Sequence, residues 1–193
     1  MSEGRRRRGW RAAPVPSKPL LREVADRFSP PYEISSEAPQ RGLRLVDPSG
    51  SQPDISIRHR YQRRLFLRAN YLQLTSTVRG GGPEEDAELV VRFRGPLSRQ
   101  RARVAWKASV PGGDEWLAGC RDRLVEEAGG IEAVELMTAA WSAKKQTWRL
   151  RVETMSGSMV SGILAALPIA VPFERHEATS FMGLIDVFGS ASA

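Results

Sequence analysis

The feature that most constrains this chain is an alternation of apolar and polar residues with period two, recurring in separate stretches bounded by turn-forming residues. Ile55, Ile57, His59 and Tyr61 alternate with Ser56, Arg58 and Arg60. Leu89, Val91 and Phe93 alternate with Val90, Arg92 and Arg94, then Ala102, Val104 and Trp106 with Arg101 and Arg103. Trp148, Leu150 and Val152 alternate with Arg149, Arg151 and Glu153. Successive side chains of an extended chain point to opposite faces, so the pattern predicts strands with one apolar and one polar side. The 65–78 stretch continues it, with Leu65, Leu67, Ala69 and Tyr71 on one side and Gln62-Arg63-Arg64 as the connection. Gly95-Pro96-Leu97-Ser98 supplies the turn of a hairpin. Shorter strands are expected at Tyr32–Ser36 and Leu43–Val46, the latter ending in the turn Asp47-Pro48-Ser49-Gly50.

Between these segments the period changes. Leu20, Leu21, Val24, Ala25 and Phe28 recur at helical spacing and stop at Ser29-Pro30-Pro31. Trp116, Leu117, Cys120, Leu124 and Val125 mark a second helix, with Asp114 placed to cap it and Gly129-Gly130 to end it. A third is expected from about Glu174 to Phe188, its early carboxylates Glu174 and Glu177 suiting the positive end of the helix dipole. Strands are further expected over Ile131–Ala139 and, buried, within Met159–Val171, and Gly80–Asp86 reads as a flexible acidic loop. Runs of strands broken by separated helices indicate an α+β fold, a mainly antiparallel sheet with about three helices packed on one face. Residues 1–18 read as a disordered basic tail and residues 19–193 as a single α+β domain.

Charge and composition narrow the function. The 193 residues carry 29 Lys and Arg against 22 Asp and Glu, a formal net charge of +7. Residues 1–107 hold 22 basic and 11 acidic residues, a net +11, and residues 108–193 hold 7 and 11, a net −4. The excess cationic charge keeps nucleic acid or an acidic protein surface among the partners. Arginine outnumbers lysine 25 to 4, a skew that GC-rich codon usage also produces. The single Cys120 forbids an internal disulfide, and with only His59 and His176 there is no Cys/His zinc site. The N-terminal residues lack an apolar signal core, and the longest uncharged apolar run, Met159–Phe173, is broken by Pro168 and Pro172. No transmembrane segment and a cytoplasmic location are therefore expected.

Motifs that carry chemistry are missing. Ser156-Gly157-Ser158 does not fit a nucleophile elbow, and Gly80-Gly81-Gly82 is followed by acidic residues rather than by a phosphate-binding signature. Cys120 lies on the apolar side of its helix and reads as an inert buried thiol. No catalytic residue, metal site or cofactor is assigned. What remains is the arginine pattern. If the strands share a sheet in register, Arg58, Arg60, Arg92, Arg94, Arg99, Arg101 and Arg103 fall on one face as an anion-binding platform, with Arg5, Arg6, Arg7 and Arg8 of the tail as a salt-sensitive contact. The bland counterpart is a solvated sheet surface kept soluble by charge.

The strings Arg103-Val104-Ala105-Trp106-Lys107-Ala108 and Trp148-Arg149-Leu150-Arg151-Val152-Glu153, the latter leading into Ser156-Gly157-Ser158, resemble a family of bacterial proteins of unknown function over the C-terminal half of the chain. That resemblance supports the fold and implies no catalytic residue. Three functions stay open: a non-enzymatic interaction domain for an anionic partner, a carrier of an apolar small ligand in a sheet-helix cup, and an enzyme whose site gathers dispersed residues such as His59, Tyr61, Ser158 and His176.

Overall fold

Alternating segments that follow one another in sequence pair with each other. In the computed structural model, which describes residues 17–35, 42–63, 67–94, 101–162 and 169–190, β1 (Glu33–Ile34) and β2 (Gly42–Val46) lead into β3 (Ile55–Arg63) and β4 (Leu67–Arg79), a ladder that sets Ile57 opposite Leu74 and Arg60 opposite Tyr71. β5 (Ala87–Arg94) pairs with β6 (Arg101–Trp106), and β7 (Val134–Ser142) with β8 (Thr147–Gly162). The described residues form a nine-stranded antiparallel sheet of order β1-β2-β3-β4-β8-β7-β5-β6, with the short β9 (Ile169–Ala170) against β8. The 16-residue β8 lies between β4 and β7 and joins the two halves of the sheet.

The apolar side of every long strand meets the helices. α1 (Ser17–Asp26) buries Leu21, Val24 and Ala25. α2 (Gly113–Gly129) buries Leu117, Cys120, Leu124 and Ala128, and α3 (Arg175–Ser190) buries Phe181, Leu184, Ile185 and Phe188. All of them join one cluster with Leu72 and Leu74 of β4, Leu89 of β5 and Leu150 and Val152 of β8. At its centre Trp148 is fully buried, its ring 4.8 Å from Trp116, 4.9 Å from Phe188 and 5.1 Å from Trp141. Burying an aromatic side chain of that size contributes about 4–6 kcal/mol by area. A second aromatic group, Phe28 with Phe173 and Phe181, fastens the end of α1 to α3.

The structure departs from the sequence expectations in places. Gly80–Asp86 is pinned rather than free: the indole N–H groups of Trp148 and Trp141 donate to the carbonyls of Gly81 and Pro83 at 2.8 and 2.7 Å. Gly82 passes so close to the Trp141 ring that a Cβ there would fall 2.6 Å from it, which explains the glycine. Asp114 does not cap α2. The cap is Gly112 in a left-handed conformation (φ 67°), and Asp114 and Glu115 sit in the first turn, where the helix dipole favours them. The Glu177 carboxylate accepts the Glu174 N–H at 2.8 Å, reaching back over the first turn of α3, and the Glu132 N–H at 3.0 Å. β9 is exposed, Ile169 to 64%, where a buried strand was expected.

Candidate anion-binding face

Register decides which side chains share the side of the sheet away from the helices. Arg58 lies opposite Gln73, Gln73 opposite Glu153, Thr75 opposite Arg151, Thr77 opposite Arg149 and Arg92 opposite Arg103. In an antiparallel ladder directly opposed residues point to the same face, so Arg58, Arg60, Arg92 and Arg103 do lie on one side. Arg149 and Arg151 of β8, Arg44 of β2 and Arg79 of β4 join them, although none entered the platform read from sequence. Arg94 and Arg101 are opposed partners in the same ladder. Arg99 and the tail residues Arg5, Arg6, Arg7 and Arg8 lie outside the described residues.

Two zones differ within this face. Around β3, β4 and β8, Arg58, Arg60 and Arg151 are occupied. The Arg58 Nε–H donates to Gln73 Oε1 at 2.6 Å, and Arg60 reaches Glu153 at 2.9 Å. Arg151 grips the same carboxylate. Burial alone would push the Glu153 carboxyl up, but hydrogen bonds and charge from Arg151 and Arg60 outweigh it and hold the group below the usual carboxylate range. Tyr71 is buried here too, on the arginine side, because it lies opposite Arg60.

Around β5 and β6 the guanidinium groups stand differently. Arg92 and Arg103 are exposed, directly opposed, and without an ion-pair partner among the described residues. Like charges placed directly opposite across a ladder destabilise it by several tenths of a kcal/mol, roughly, unless an anion lies between them. Away from this pair, a depression of about 500 Å³ runs over the ends of β4, β8 and β7. Thr75, Thr77, Ser142 and Thr147 line it with Lys145 and Arg149, a set of hydroxyl and cationic donors.

The dispersed catalytic set does not assemble. His59 Nε2 donates to the Gly157 carbonyl at 2.8 Å, and burial holds this imidazole's affinity for a second proton below the usual histidine range. The Ser158 hydroxyl accepts the Leu72 N–H and donates to the Thr154 carbonyl, both at 3.0 Å. Tyr61 is 59% exposed, and His176 sits on the surface 3.8 Å from Glu132. Neither imidazole has a hydroxyl partner among the described residues. Burial pushes the Cys120 thiol up to about 11, in keeping with an inert thiol. No group of three or more His, Cys, Asp or Glu side chains suited to a metal occurs among the described residues, and no helix there is long and apolar enough to cross a membrane.

The face is continuous from β2 to β6, and the sequence that builds it is shared beyond this chain. A family of proteins of unknown function, DUF3156, matches residues 30–191, from β1 through the whole of α3, so the likeness extends well beyond the C-terminal half. No curated protein and no solved structure matches the chain. By a match that covers most of its length, the chain belongs to the DUF3156 family.

Proposed function

We propose that this chain is a non-enzymatic interaction domain that holds a polyanion, nucleic acid in the first instance, on the open face of its sheet. The observation that carries the reading is the directly opposed Arg92 and Arg103, without an ion-pair partner among the described residues, an unfavourable arrangement that a bound phosphate relieves. The helix layer supports it from the other side. α2 carries Asp114, Glu115, Asp122, Glu126 and Glu127 against Arg121 and Arg123, so its field turns a polyanion toward the sheet. The carrier reading needs unfilled apolar volume between sheet and helices, and there Trp148, Phe181 and Phe188 are packed into the core.

The test is fluorescence anisotropy with single-stranded and duplex oligonucleotides between about 50 and 200 mM salt. Affinity is expected to fall steeply with salt. Arg92→Ala with Arg103→Ala should weaken binding and flatten the salt slope by about one to two phosphate contacts. Substituting Arg5, Arg6, Arg7 and Arg8 by alanine should add a further loss. Binding indifferent to salt, or unchanged in the Arg92/Arg103 variant, rejects the nucleic-acid reading; an acidic protein surface is then the partner to test on the same face.

A further inference from the structure

β6 ends the sheet, and among the described residues its only strand partner is β5. The Lys107 N–H donates to the Glu88 carbonyl at 2.9 Å, which fixes the phase of this edge. Arg103 and Ala105 turn their backbone groups inward to β5, whereas Ala102, Val104 and Trp106 turn theirs outward. α2 rests on this same strand and on α3. Between strand and helix runs a groove of about 640 Å³, with residues 102–108 as one wall and Asp114, Leu117, Arg121 and Val125, a single stripe at helical spacing, as the other.

We propose that this groove takes an extended acidic segment of a partner protein, which adds to the sheet as a strand beside β6. The site lies along the edge of the sheet and shares only Arg103 with the proposed polyanion face, so Arg92 separates the two. Outward N–H and C=O groups beside a helix offer main-chain hydrogen bonds, and the groove receives every second side chain of the added strand. Charge selects the occupant. Arg103 and Lys107 flank the edge on the open side of the sheet, Lys107 paired with Glu88 at 2.6 Å, and Arg121 borders the groove with Asp114 on the helix side. β6 itself, Arg101–Trp106, holds no acidic residue, so a second copy pairing edge to edge would bring two cationic edges together. A strand with carboxylates on alternate residues sets them beside Arg103 on the open side and turns the residues between them into the groove, while its net negative charge suits Arg121.

The test uses the full chain and a blocked peptide of about six residues alternating glutamate and valine, roughly the length of one strand. At saturation, hydrogen exchange should slow at the amides of Ala102, Val104 and Trp106 and stay unchanged at Arg103 and Ala105. Of two peptides N-methylated on alternate residues in opposite phase, one should lose binding and the other keep it. Arg121→Glu, at an exposed position of α2, should weaken the peptide by about tenfold, with Arg92→Ala within about twofold. Equal binding by the two methylated peptides overturns the proposal, as does unchanged exchange at the three outward amides. Concentration-dependent protection of those amides without peptide overturns it in favour of a second copy.

Discussion

Glu153 and Glu177 are both almost completely buried, at 2% and 1% exposure, one on the arginine side of the sheet and one in the helix layer. Their carboxyls are drawn in opposite directions. Burial raises both, but at Glu153 two guanidinium groups reverse its effect, whereas at Glu177 the partners are backbone N–H groups, a hydroxyl and another glutamate, and burial prevails. On the sheet face a buried carboxylate absorbs excess positive charge. In the helix layer it acts as a clamp that ties the start of α3 to the 130–133 turn before β7. The contrast teaches that the arginine face is compensated from within at Glu153 and left open at Arg92 and Arg103, while the helix side holds the fold together.

The largest expected effect tests that division of labour. Trp148→Ala should lower the unfolding free energy by about 3–5 kcal/mol in a urea titration. Arg92→Ala with Arg103→Ala should change it by only about 0.5 kcal/mol or less. Equal losses from the two variants would erase the distinction between the faces.

Next in size is Glu177→Gln. The amide offers one acceptor where two backbone N–H groups need one each, and the expected loss is about 1–3 kcal/mol. Its pH response sharpens the contrast. The folded chain binds this proton more tightly than the unfolded chain, so in the wild type the titration of Glu177 adds stability as pH falls through the raised folded value. The gap between wild type and Glu177→Gln should therefore widen toward acid in pH-resolved denaturation, and a gap that narrows would contradict the assignment.

Glu153→Gln is expected to have a smaller effect than Glu177→Gln, about 1 kcal/mol or less, because the Arg60 and Arg151 side chains are 48% and 35% exposed and water screens the pairs. Here the sign reverses. The folded value lies below the unfolded value of about 4.3, so the carboxylate's contribution is complete above that pH and is lost as pH falls through the depressed folded value. Stability of Glu153→Gln should converge on that of the wild type in acid, and parallel curves would show that the two arginines do not hold the carboxylate.

Much of the fold is legible in local pattern because period two and helical spacing are properties of neighbouring residues. The parity of Arg58, Arg60, Arg92 and Arg103 follows from it, as do the apolar stripes of all three helices. What the pattern does not carry is register between strands distant in sequence. Glu153 reads as one more solvated residue in Arg149-Arg151-Glu153 until Arg60, from a strand formed far earlier in the chain, is placed against it. Tyr71 reads as core until its position opposite Arg60 is known. The glycine-rich 80–86 segment resembles a free loop because its partners are the indoles of Trp141 and Trp148, which composition alone does not link to it.

The central place of β8 has a consequence for how the chain assembles. Until residues 147–162 leave the ribosome, β4 and β7 each present a bare hydrogen-bonding edge, and the hairpin units on either side have no common element. Closing the sheet is thus a late, long-range event in biosynthesis, and the nascent polypeptide passes through a stage in which exposed strand edges invite pairing with the wrong neighbour.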